Sequence, residues 1–153
     1  MRKSHTFFFL IAISVYILDQ LTKYVIKTYL SPFDVIKVLP FLNIIYTENT
    51  GSAFGMFKSL GNAFFIIVSA AAVIIVSVLI IKDRTNRAGL SLILGGAAGN
   101  LTDRLIHGYV IDFIDIYAGK FHWPAFNVAD SALTVGIALL VIKTIFSVKK
   151  DGT

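Results

Sequence analysis

SLGNAFFIIVSAAAVIIVSVLII, residues 59–81, runs for 23 positions without a charged side chain. A helix rises 1.5 Å per residue, so about 20 apolar residues cross a hydrocarbon layer roughly 30 Å thick. A buried helix of a soluble domain has no need of such an uninterrupted apolar length, and this stretch places the chain in a membrane. The composition agrees. Of 153 residues, 56% are hydrophobic and 15% charged, the first above and the second well below soluble domains.

With 62–81 as one span, three more segments have the length to cross: about 6–28, 88–106 and 127–148. These three carry charges, which are costly in hydrocarbon and therefore informative. The opening MRKSHTFFFLIAISVYILDQLTK has the basic start and apolar stretch of a signal peptide. It continues through Asp19 and Lys23 without a small-residue cleavage site, so it is expected to stay as the first span. The length suits one domain over 1–153. The net charge of +5 does not imply nucleic acid, because the lysines and arginines flank the apolar runs. Arg2 and Lys3, then Lys82, Arg84 and Arg87, then Lys149 and Lys150 mark one side. Loops 29–61 and 107–126 hold only Lys37, Lys58 and Lys120. Both termini are therefore expected in the cytoplasm and the two longer loops outside.

On that orientation the acids gather at one depth. Asp103 lies about 22 Å into the third span from its cytoplasmic end, Asp130 about 27 Å into the fourth and Asp19 roughly 18 Å into the first. Asp112 follows the third span closely. Asp19 and Lys23, four apart, have the spacing of an ion pair, read either as mutual neutralisation or as a group facing a substrate. Asn100, Asp103 and Arg104 share a helix face, as a clamp between helices or as a scaffold for a reactive group. Arg104 is placed to pair with Asp103 or with other acids. GYVIDFID reads as extended after Gly108, so Asp112 and Asp115, three apart, face opposite sides. Asn127 is a plausible helix cap. Asp130 then falls at the third helical position, where the helix dipole favours a carboxylate whatever else it does. In the first outer loop, 41–47 reads as strand and 53–60 as a short surface helix.

The chain has no cysteine, which excludes disulfides, thiol nucleophiles and cysteine metal sites. His5, His107 and His122 form no HExxH pattern. Serine–lysine catalysis stays open, although no serine is clearly matched to an outer lysine, and what the outer layer does offer is aspartate. Two carboxylates a few Å apart share one proton, so one activates water while the other polarises a carbonyl. A proton-relaying transporter and a scaffold subunit use the same residue types, and composition and spacing leave the three readings open.

Five motifs in order narrow the choice: DQLTK at 19–23, ENTGSAFG at 48–55, GNLTDR at 99–104, VIDF at 110–113 and FNVADS at 126–131. Together they resemble lipoprotein signal peptidase, the signal peptidase II family of bacterial membrane aspartyl proteases, over nearly the whole chain. The resemblance implies an all-α membrane fold of four transmembrane helices, with a small extracytoplasmic β-cradle and a short surface helix. It implies a catalytic pair, Asp112 and Asp130. Asn49, Gly51, Asn100, Arg104 and Asn127 would support or contact the site, and Asp19 and Lys23 would form the first-span motif. Asp103 would be structural, and Asp115 lies outside the pair. The implied substrates are prolipoproteins carrying a diacylglyceryl group, cut just before the lipidated cysteine. Membrane lipids are further partners, globomycin an inhibitor, and a monomer is expected with no metal, cofactor or nucleic acid. The expected location is the bacterial cell (inner) membrane, with the site near its extracytoplasmic surface.

Overall fold

The computed structural model describes residues 4–51, 61–82 and 86–151. Four helices carry the fold: α1 (His5–Tyr29), α2 (Gly61–Lys82), α3 (Arg87–Ile106) and α4 (Val128–Asp151). Each lies within about three residues of an expected span. Ser4 caps α1 by accepting the Thr6 N–H at 3.2 Å. The surface helix expected at 53–60 falls outside the described residues.

By length and hydropathy, α1, α2 and residues Val128–Phe146 of α4 are apolar enough to cross a membrane. α3 does not reach that level, and its position gives the reason. It packs against α1, α2 and α4, while α1 and α2 touch each other little. Eleven of its residues are buried, among them Arg87, Ser91, Asn100 and Asp103. In α2 only Val76 and Ile80 are buried. A helix surrounded by protein can carry glycine and polar groups, whereas one facing hydrocarbon must be apolar around most of its circumference.

Glycines let the neighbours approach α3. A Cβ on Gly95 would stand 2.5 Å from the Ala12 carbonyl of α1, and one on Gly96 2.5 Å from the Ala129 carbonyl of α4. α3 ends where Gly108, at φ +83, donates to the Arg104 carbonyl at 3.1 Å. That left-handed residue closes the helix and turns the chain into a strand.

The strands are β1 (Val35–Leu39), β2 (Leu42–Asn49), β3 (Val110–Ala118) and β4 (Phe121–His122), antiparallel in the order β1-β2-β3-β4. The strand expected over 41–47 is thus β2, and β1 completes its hairpin. Tyr46, Ile111 and Phe113 pack with Ile26 at the end of α1, which seats the sheet on the helices. Thr47 pairs with Asp112 and Asn49 with Val110, so the central strands deliver Asp112 and the end of β2 to the same place.

Candidate active site

α4 begins with the run Asn127-Val128-Ala129-Asp130. The Asn127 side-chain oxygen accepts the Asp130 N–H at 2.9 Å, and Asp130 Oδ2 accepts the Asn127 N–H at 3.3 Å. This reciprocal cap satisfies helix donors that would otherwise be orphaned. The next free donor, the Ala129 N–H, goes to Asp19 Oδ1 at 2.9 Å. Capping thus uses one oxygen of Asp130. The other, Oδ1, accepts Asn100 Nδ2 at 2.8 Å.

Asp112 comes from β3 and is 1% exposed. Its Oδ1 accepts Asn127 Nδ2 at 2.6 Å and its Oδ2 accepts Asn49 Nδ2 at 2.9 Å. Asn49 is itself held by the Gly51 N–H, which donates to its Oδ1 at 3.0 Å. Asn127 therefore bonds Asp112 through its side chain and Asp130 through its backbone and side chain together. Burial and the neighbouring Asp130 charge push the Asp112 carboxyl up to about 7, against the opposing bonds from Asn49 and Asn127. Alternation along β3 sends Asp115 elsewhere, to Asn43 and His122.

Beneath the pair lies a buried ionic cluster. Lys23 Nζ sits 2.8 Å from Asp19 Oδ2, 3.0 Å from Asp103 Oδ2 and 2.9 Å from Asn100 Oδ1, so all three of its protons have acceptors. Gln20 Nε2 reaches Asp19, Asp103 and the Gly99 carbonyl. Asp103 Oδ2 also accepts the Ile111 N–H at 3.1 Å, fixing the start of β3. A side chain on Gly99 would collide with the Asp19 carboxylate. Buried charges are tolerated only when paired and fully hydrogen-bonded, and this cluster meets both conditions.

Of the pairings open to Arg104, the one with its neighbour Asp103 does not form. Asp103 turns to Lys23 on α1. Among the described residues Arg104 has no ion pair; its guanidinium lies 5.1 Å from the centre of the Phe65 ring and donates to the Asn100 carbonyl at 3.4 Å. It lines a cavity of about 690 Å³ together with Asp112, Asp130 and Asn49. A cation without a carboxylate partner among the described residues, lining the same cavity as both aspartates, is available to a bound molecule.

A family model described as signal peptidase II matches residues 11–146. The chain belongs to the signal peptidase II family. The lipoprotein signal peptidase of Thermodesulfovibrio yellowstonii is 53% identical over 131 residues, covering 86% of this chain and 89% of that one. That of Alteromonas mediterranea is 43% identical over 149 residues, covering 92% and 81%. Two solved structures, both described as bacterial membrane enzymes, share the architecture. One has a TM-score of 0.87 at 37% identity, covering 95% of this chain and 91% of that chain; the other has 0.81 at 38%, covering 93% and 96%.

Within this family member, the catalytic and supporting residues expected from the sequence lie in one connected cluster or line its cavity, while Asp115 lies apart from it. Asp19, Lys23, Asn100, Asn127, Asp112, Asp130 and Asn49 form a continuous chain of hydrogen bonds, with Gly51 at its edge and Arg104 beside it. Sequence reading passed over Gln20, although it lies inside the DQLTK motif and is a polar residue within a span. It also passed over Trp123, Pro124 and Ala125, which line the cavity together with Phe126 and with Phe65 of α2. Nothing in their local pattern marks them as part of a site.

Proposed function

We propose that the chain is an aspartic endopeptidase that removes the signal peptide from diacylglyceryl-modified prolipoproteins, cutting just before the lipidated cysteine. The observation that carries this reading is the pair Asp112 and Asp130. The two carboxylates come from different elements, are bridged by Asn127 and open onto one cavity. Their proximity and burial suit them to hold a single proton between them.

The chemistry follows from that proton. The ionised carboxylate takes a proton from water as the water oxygen attacks the peptide carbonyl carbon. The protonated carboxyl gives its proton to the carbonyl oxygen, forming a tetrahedral diol. The carboxyl that took the water proton passes it to the peptide nitrogen as the C–N bond breaks. A diol proton returns to the other carboxylate, and the pair is restored. Asn49, Asn100 and Asn127 hold the carboxylates, Gly51 fixes Asn49, and the Asp19–Lys23 pair with Asp103 supports them from below. Arg104 is suited to a substrate carbonyl. No metal or cofactor enters this scheme.

The whole chain, 1–153, acts in this reading as one integral-membrane domain with four crossings. α3 crosses because the other helices cover its polar groups. The distribution of Lys and Arg supports cytoplasmic termini and a site near the extracytoplasmic surface of a bacterial cell membrane, where a lipid-anchored substrate presents its cleavage point. The protein acts as a monomer among membrane lipids, and globomycin inhibits it.

The test is cleavage by purified protein of a lipobox peptide with and without its diacylglyceryl group. The reading expects cleavage of the lipidated peptide alone, lost in Asp112→Asn and in Asp130→Asn while both variants stay folded. Full activity in either variant refutes the pair.

A further inference from the structure

The β3–β4 hairpin contains a polar group that the proposed chemistry does not use. Asp115 is 5% exposed. Its Oδ1 bonds His122 Nδ1 at 2.7 Å and its Oδ2 accepts Asn43 Nδ2 at 2.8 Å. Tyr117 stacks on the His122 ring, centroids 5.2 Å apart and planes 15° apart. These contacts join β2, β3 and β4 on the side of the sheet away from Asp112.

The location gives the group its consequence. β4 is only two residues long, too short to hold its place by main-chain pairing alone. The chain leaving it, Trp123 to Phe126, lines the cavity. That wall is tied to β3 near its two ends, by the Trp123 N–H to the Ile116 carbonyl at 2.8 Å and by paired bonds between Phe126 and Ile114. Pro124 between them has no N–H to donate. The far end is secured by Asn127 and the cap of α4. The near end is secured by the Trp123–Ile116 bond together with His122, the residue next to it.

We propose that Asp115, His122 and Asn43 form a clamp that positions the Trp123–Phe126 wall and so sets how tightly the enzyme holds its substrate. This rests on the peptidase reading for its kinetic consequence. The aspartate pair keeps its own bonds to Asn49, Asn100 and Asn127, none of which passes through the clamp. Loosening the clamp therefore weakens substrate binding and leaves the chemical step intact. His122 and Asp115 are positioning residues, acting through the wall.

The full chain in detergent, supplied with the diacylglyceryl lipobox peptide, provides the test. His122→Ala removes a bond to a carboxylate and should raise KM about tenfold with kcat changed by less than about twofold. His122→Asn places its amide nitrogen as many bonds from Cα as Nδ1 and should return KM most of the way. His122→Gln extends the amide past that position and should not. Trp123 is the chain's single tryptophan and reports on the wall without substrate. Its quenching by acrylamide should rise in His122→Ala and fall back in His122→Asn. An unchanged KM, a fall in kcat at constant KM, or equal behaviour of the Asn and Gln variants overturns the clamp. If the wild type cleaves no lipopeptide, the peptidase reading fails and the quenching series alone decides: a rise in His122→Ala reversed by Asn supports the clamp, and no rise overturns it.

Discussion

Asn127→Asp is the sharpest probe of the bridged pair, because it changes one donor and almost no shape. Aspartate caps a helix as well as asparagine does, so α4 keeps its start and the bond from the Asp130 N–H persists. What changes is the set of bonds from Nδ2: the 2.6 Å contact with Asp112 Oδ1 above all, and the longer ones to Asn100 Oδ1 at 3.3 Å and the Ile111 carbonyl at 3.2 Å. An amide donor becomes a carboxylate oxygen, and two carboxylate oxygens approach to about 2.5–2.7 Å only with a proton between them. The variant must therefore bind an extra proton or move apart. A third carboxylate beside two others raises the pH at which the cluster ionises by about one unit or more, each unit being about 1.4 kcal/mol. The expected result is a fall in kcat/KM of about a hundredfold near neutrality, with the alkaline limb of the pH profile displaced upward and the thermal midpoint near wild type below that limb. The assay is lipopeptide cleavage across pH beside thermal unfolding in detergent. A wild-type rate and pH profile in a folded Asn127→Asp protein would show that this amide does not govern the pair.

The wild-type profile carries its own expectation. Asp112 is pushed up to about 7 in the fold from the ordinary 3.8, so cleavage that needs one proton on the pair declines above about pH 7. Stability has the same sign: between those two values the folded chain holds a proton that the unfolded chain has released, so stability falls as pH rises through that window. Cleavage that stays flat to pH 9 would contradict both. Lys23→Met removes the cation that pairs with both Asp19 and Asp103 and should destabilise by about 3–5 kcal/mol; an unchanged unfolding midpoint in detergent would refute the cluster's role. Gly99→Ala should lose about 1–3 kcal/mol by driving a methyl into the Asp19 carboxylate, although alanine is the better helix former, and a gain in midpoint would show that Asp19 has room to move.

The helices α1, α2 and α4 were legible as apolar enough to cross because hydrocarbon thickness converts directly into residue count, and α2 needs nothing more than its composition. The separation of Asp112 from Asp115 was legible because a strand alternates its faces. The cap at Asn127 and Asp130 was legible because capping is local. Pairing across elements was not. Asp103 lies beside Arg104 in sequence and on a shared face, yet Lys23, on another helix, takes it. Spacing shows which residues share a face but not which face meets which neighbour.

The sequence by itself therefore determined a membrane chain with two of its acids presented by a strand and a helix start, since each of these depends on periodicity or length within one segment. Only the tertiary structure decided that α3 lies in the centre, that Lys23 pairs with both Asp19 and Asp103, that Arg104 lines the cavity, and that Asn127 bridges the two aspartates. Those outcomes depend on how closely helices pack at Gly95, Gly96 and Gly99 and on which partners burial forces together, and both are properties of the assembled chain.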